Sequence, residues 1–330
     1  MKLTNETLKT LILGAVRFEE QDDGFLSFHR FTEKQEAYYR DTNPDFYKKS
    51  LATSNMRLSF KTDASQFSFH YRAKKASSRN FFFFDLFVDG VMLEHCGDAY
   101  CTEKSGRVVF TLPEGKHLVT LYFPGLFSVA LGNFEISDGA TVTPVTRSRK
   151  LLMYGDSITQ GYDAVYPSQS YANLVTDMLD AVSLNQAIGG EVFNPGIVDG
   201  DLGFTPDLIT VAYGANDFAK RQREDMVRDA NEFYRRVRAA FPTVRIFAIL
   251  PIWRGDKDTL ASAVGTFEEA KDIVRRAAEA QENVVVIDGN TFVPHLPEFF
   301  SDKRLHPNDL GFKFYADALY AAMMPHLKGL

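Results

Sequence analysis

The chain has 330 residues, 45% of them hydrophobic, and a net charge of −6 with a pI near 5.7. At this length one hydrophobic core has usually stopped growing, so two domains are expected. The 37 Lys and Arg residues are scattered rather than gathered into a stripe, which argues against a nucleic-acid binder and for a neutral or uncharged substrate.

The N-terminal apolar stretch 11–16 is too short for a secretory h-region and runs into Glu19 and Glu20. No segment reaches the ~18 apolar residues of a membrane span. A cytoplasmic protein with no membrane partner is therefore expected, and a homo-oligomer is compatible with the sequence. Cys96 and Cys101 are the only cysteines. They are too few for a disulfide framework and lack a second ligand pair for zinc, so free thiols are expected.

The first part of the chain, 1–140, reads as β. Alternating or aromatic-rich runs at 56–61, 66–71, 81–88, 91–95, 107–112, 118–123 and 127–136 recur at sandwich spacing. Asp89-Gly90 and the stretch 113–116 supply turn chemistry between them. The polar segment 32–50 has the composition of a helix or long loop and does not fit this pattern. In the Phe81 to Phe84 run, alternate rings are expected to face opposite sides and to pack in the sandwich. The Ser, Thr, Gly and Pro content of 138–148 marks a linker, placed at 141–148.

From 149 to 330 the pattern changes. Short apolar runs at 150–154, 182–188, 207–213, 244–251 and 284–288 alternate with helical patterns at 170–180, 223–240, 261–282 and 309–326. Such alternation predicts a parallel five-stranded sheet covered on both faces.

Ligands of open parallel sheets bind beyond the carboxyl ends of the strands. The residues there are Gly155-Asp156-Ser157-Ile158-Thr159, then Gly189-Gly190, then Gly214-Ala215-Asn216-Asp217, then Trp253-Arg254, and last a loop holding Asp302 and His306. This set meets the needs of acyl transfer. A serine hydroxyl requires a base, for which His306 is placed, and the imidazole requires an orienting carboxylate, for which Asp302 is the candidate. The tetrahedral oxyanion requires donors, for which the Ser157 N–H, the Gly190 N–H and the Asn216 amide are candidates. Trp253 and Asp156 are expected beside the substrate. Taken singly, each residue has a plainer reading as a helix cap, a packing histidine or an ordinary turn; four compatible strand ends together outweigh it. The G-x-S-x-G elbow of α/β-hydrolases is absent around Ser157.

These residues resemble the SGNH/GDSL hydrolases. Gly155 to Thr159 is similar to that family's nucleophile block, Asn185 to Gly190 to its glycine block, Gly214 to Asp217 to its GxND block, and His306-Pro307-Asn308-Asp309 to its histidine block. The resemblance covers 149–330. It implies a flavodoxin-like three-layer α/β fold, no metal and no organic cofactor, and ester or thioester hydrolysis through an acyl-enzyme, with Gly190 rather than Gly189 as the oxyanion donor. A preceding sandwich, jelly-roll-like, is similar to two-domain carbohydrate esterases that remove acetyl groups.

In one respect the chain departs from the family. There the aspartate usually stands three residues before the histidine; here Lys303 holds that position and Asp302 is one residue further away. Both a triad and a dyad with a main-chain carbonyl holding the ring remain open at this point. The sequence therefore predicts a serine esterase acting on short acyl groups, such as acetyl, on a carbohydrate or similar polar alcohol. A thioesterase, a lysophospholipase, an acyltransferase and an inactive carbohydrate-binding protein are the alternatives.

Overall fold

The computed structural model describes residues 1–327; the last three residues of the unit expected at 149–330 lie outside the described residues. Two antiparallel sheets form the N-terminal half. One runs in the order Ile12–Leu13, Arg57–Thr62, His117–Tyr122, Phe82–Val88, Val91–Asp98, and the other in the order Arg17–Glu20, Leu26–His29, Phe127–Ile136, Gln66–Lys75, Glu103–Thr111. Side chains alternate across a pleated strand, so Phe60, Phe67, Phe69, Phe110 and Phe134 meet between the sheets in one aromatic core. Phe82 and Phe84 are each 1% exposed in that core. Phe81 and Phe83 face the other way, as alternation requires, and line a small cavity with Gln160 and Gly161 of the second half.

All seven sandwich runs expected from the sequence are strands, with ends shifted by a few residues. The strands at Ile12–Leu13, Arg17–Glu20 and Leu26–His29 were not expected. They span two to four residues, too few to display a period. Val142–Pro144, inside the stretch expected to be a linker, pairs with Arg57–Thr62 and so adds a strand to the sandwich.

The segment 32–50 forms two helices. Thr32 and Gln35 make a reciprocal capping box that starts Glu33–Thr42. Asn43 ends it and caps the next, Pro44–Ser50, with the proline in its first turn. Their apolar faces turn away from the sandwich core: Tyr39, Phe46 and Tyr47, with Phe31 just before the first helix, join one cluster with Leu152 and Leu184 of the second half.

That second half is a parallel sheet in the order Ala181–Asn185, Arg149–Gly155, Leu208–Ala212, Arg245–Leu250, Val284–Asp288. In chain order this is 2-1-3-4-5, the flavodoxin-like arrangement with its switch point beside the first strand. Leu151 and Met153 point to one face, under helices Tyr171–Met178 and Asp309–Met323. Leu152 and Tyr154 point to the other, under Arg223–Ala240 and Phe267–Glu279. The result is three layers. The helix expected at 261–282 starts later, at Phe267, because Thr266 and Glu269 form its capping box.

The halves meet through paired polar groups. The buried Arg57 binds Asp177, whose other oxygen accepts the Tyr122 hydroxyl at 2.6 Å. Among the described residues no helix is long and apolar enough to cross a membrane.

Candidate active site

Asp156 leaves the first strand with its Oδ1 accepting the Ile158 N–H at 3.0 Å, which caps the short helix Ser157–Gln160. Ser157 opens that helix at the carboxyl end of the sheet. Gly155 is required by close approach, since a Cβ there would stand 2.2 Å from Thr159 Oγ1. The Ser157 hydroxyl lies 2.9 Å from His306 Nε2 across 149 positions of sequence. Tyr162 stacks on the His306 ring at 5.8 Å between centroids.

His306 comes from a loop closed on itself: Phe300 bridges Pro307, and Ser301 N–H donates to His306 O at 2.8 Å. Asp302 organises the turn. Its Oδ1 accepts the N–H groups of Arg304, Leu305 and His306, and its Oδ2 lies 2.9 Å from His306 Nδ1. The extra residue is absorbed by Lys303, which takes the left-handed conformation at φ 65°. Burial opposes the Asp302 charge, but the His306 contact and the three backbone donors outweigh it and hold the carboxyl well below the usual carboxylate range.

A second carboxylate, not anticipated from the sequence, also approaches this ring. Asp163, at φ 70°, places Oδ2 at 4.0 Å from His306 Nδ1. Both its oxygens are gripped by Arg79 of the sandwich, and Oδ2 accepts the Ser301 hydroxyl at 2.6 Å. Neither Arg79 nor Asp163 lies at a strand end, so the rule that located the other residues could not find them.

At the second strand end, the Gly189 N–H is taken by Gln160 Oε1 at 2.6 Å. Gly190 has φ +90°, a conformation suited to glycine, and among the described residues no internal acceptor meets its N–H. Asn216 lies in the first turn of the helix Ala215–Lys220, half-buried, with Nδ2 donating to Asp156 Oδ2 at 3.3 Å. One amide hydrogen is spent there and a second is left. Asp156 itself, expected beside the substrate, is 3% exposed with its oxygens turned to Ile158 and Asn216. It stands behind the rim because it must cap the helix. Burial pushes its carboxyl up to about 6. Trp253 is half-buried, with its ring stacked on His295 and against Phe300. Cys96 and Cys101 are unpaired. Among the described residues no cluster of three His, Cys, Asp or Glu side chains is arranged to hold a metal ion.

The fold and the rim together join an antiparallel sandwich to a parallel α/β sheet whose carboxyl end carries a hydroxyl, an imidazole and a carboxylate in line. Residues 153–314 match the GDSL-like lipase/acylhydrolase family. The C-terminal half thus carries a GDSL-like lipase/acylhydrolase domain, and acyl-hydrolase activity is what that domain supports.

Solved structures align over nearly the whole chain, sandwich included. A salicylyl-acyltransferase, SsfX3, from a tetracycline biosynthetic pathway is 23% identical with a TM-score of 0.79, covering 96% of this chain and 94% of its own. A family two carbohydrate esterase from Clostridium thermocellum, in complex with cellohexaose, is 18% identical with a TM-score of 0.68, covering 97% and 100%. An acetyl xylan esterase, Est2A, from the rumen bacterium Butyrivibrio proteoclasticus is 15% identical with a TM-score of 0.64, covering 99% and 98%. At these identities the likeness is one of fold. A comparison with curated protein sequences yields no match.

Proposed function

We propose that the chain hydrolyses esters of short acyl groups on a carbohydrate or similar polar alcohol, with Ser157 as nucleophile, His306 as base and Asp302 as the carboxylate that orients it. The observation that carries this reading is the line from Ser157 Oγ to His306 Nε2 and from His306 Nδ1 to Asp302, at 2.9 Å for each contact.

In this mechanism His306 Nε2 takes the Ser157 proton as Oγ attacks the acyl carbon. Asp302 keeps the other ring proton on Nδ1 and balances the imidazolium charge. The carbonyl oxygen, now an oxyanion, is met by the N–H groups of Ser157 and Gly190 and the free Asn216 N–H. Collapse expels the alcohol oxygen, which takes the proton from His306 and leaves the acyl-enzyme. Water then repeats the sequence: His306 accepts its proton, the acid departs and Ser157 is regenerated.

A short acyl group is supported by the segment 160–169 that follows Ser157, which offers few apolar residues to hold a long chain. A carbohydrate alcohol is supported by the likeness of both halves together to the carbohydrate esterases. Likeness to the acyltransferase supports a second outcome, since an acyl-enzyme can be resolved by an alcohol instead of water.

The test is turnover of nitrophenyl esters of increasing chain length and of acetylated xylo-oligosaccharides, with and without an added alcohol. Fastest release from acetyl esters, abolished in Ser157→Ala, is expected. A preference for long chains would overturn the short-acyl reading, and products appearing only with the alcohol would make it a transferase.

A further inference from the structure

The loop that carries Gly190 is held in part by side chains from residues 30–49, far from it in sequence. Arg30, wholly buried, spends Nη1 on the carbonyls of Asn185 and Ala187 at 2.7 Å each, Nε on Ala52 O and Nη2 on Lys49 O. Gln35 and Gln186 exchange reciprocal amide hydrogen bonds at 3.0 and 2.8 Å. The Tyr39 hydroxyl donates to Glu191 Oε1 at 2.8 Å. Lys49 Nζ donates to Gly189 O at 2.8 Å.

The last contact has chemical content beyond anchoring. The Gly189 carbonyl and the Gly190 N–H belong to one planar amide, in which electron density drawn toward oxygen leaves the nitrogen more positive. An ammonium on that oxygen is a charge-assisted bond and polarises the group cooperatively. It also fixes the direction in which the N–H points. Lys49 is well placed for this: its side chain is 12% exposed and held from behind by Asp45 at 2.6 Å. The next peptide is pinned in the same way, Lys220 Nζ donating to Gly190 O at 2.9 Å.

We propose that Lys49 is a positioning residue of the oxyanion hole, its ammonium fixing and polarising the Gly189–Gly190 peptide whose N–H receives the tetrahedral oxyanion. The proposal rests on the reading of Ser157 as nucleophile and Gly190 as donor. It gives the helix Pro44–Ser50 a part in the chemistry although it lies in the N-terminal half of the chain.

The experiment compares Lys49→Met, Lys49→Gln and Lys49→Arg in the full chain, each checked for wild-type near-UV circular dichroism. Turnover and KM are measured on nitrophenyl acetate, and affinity on phenylboronic acid, whose tetrahedral adduct with serine places an oxygen in the hole. Loss of a whole donor costs about 10²–10³ in turnover, so weakening one is expected to cost roughly tenfold.

Lys49→Met should lower kcat by that factor with KM within about twofold, and weaken the boronic acid by a similar factor, whereas Lys49→Arg should restore most of both. Lys49→Gln, which keeps a neutral donor, should fall between them and serves if Lys49→Met does not fold. Wild-type kcat and boronate affinity in a folded Lys49→Met or Lys49→Gln would overturn the role of Lys49 alone, provided Ser157→Ala is inactive and Asn216→Ala impaired. Full activity in Ser157→Ala would overturn both readings together.

Discussion

Arg79, from the sandwich, grips both oxygens of Asp163, and the same carboxylate accepts the Ser301 hydroxyl and stands 4.0 Å from His306 Nδ1. The loop that carries the imidazole is thus tied to the N-terminal half through one half-buried ion pair. Burial opposes the Asp163 charge, but Arg79 and Ser301 outweigh it and hold the carboxyl below its ordinary value. A displacement of about 1 Å in a reacting group can cost 10²-fold. We therefore expect Arg79→Ala and Asp163→Asn to lower kcat on nitrophenyl acetate by roughly tenfold to a hundredfold. Since that small ester needs no polysaccharide surface, unchanged kcat in both variants would confine the sandwich to other tasks.

Asp302→Asn should cost on the order of 10⁴ in turnover, the loss expected when an orienting carboxylate becomes an amide. The asparagine oxygen can still accept the three backbone N–H groups now held by Oδ1, so the loop should keep its shape while Nδ1 loses its acceptor. Retention of more than about a third of wild-type turnover at about pH 8 would leave a Ser157–His306 dyad as the working unit. Because the Asp302 pKa is depressed on folding, its contribution to stability is complete above the unfolded value of about 3.9 and is lost only as pH falls through the lower folded value. The acid limb of the activity profile should therefore be set by another group.

Asn216→Ala removes the side-chain donor proposed for the oxyanion and, with it, the partner of Asp156 Oδ2. Turnover is expected to fall about 10²–10³. KM should change little, because the bond to substrate strengthens as the oxyanion develops. A kcat loss below about threefold would place Asn216 outside the hole.

Glu191 lies wholly buried beneath the glycine loop. Burial pushes its carboxyl up to about 8, against the pull of Asn194, Tyr39, Tyr213 and the charge on Arg30. A carboxyl whose folded pKa exceeds its unfolded value of about 4.3 stabilises fully below that value and loses the contribution as pH rises through the folded one. Glu191→Gln cannot ionise. Wild type should therefore lose thermal stability relative to Glu191→Gln between about pH 5 and about pH 8, measured as Tm at both ends. A constant Tm difference across that window would show that Glu191 keeps one protonation state throughout.

The class of the fold and the identities at the sheet rim were legible because both depend on short-range pattern. Leu151 and Met153 alternate with Leu152 and Tyr154, which requires a strand buried on both faces. The chain order of strands and helices then determines which turns reach the carboxyl edge, and with them Ser157, Gly190, Asn216 and His306.

What only the tertiary structure decided was how distant segments share work. Nothing local tells that Lys303 adopts a left-handed turn so that Asp302 reaches His306, or that helix capping draws Asp156 away from the rim. Nor could periodicity show that 32–50 packs on the second half of the chain, or that Arg30, Lys49, Arg79 and Asp163 converge on its loops. Those side chains carry single, unrepeated charges or hydrogen-bonding groups. Their roles come from partners tens to more than a hundred positions away, and such contacts leave no period in the sequence.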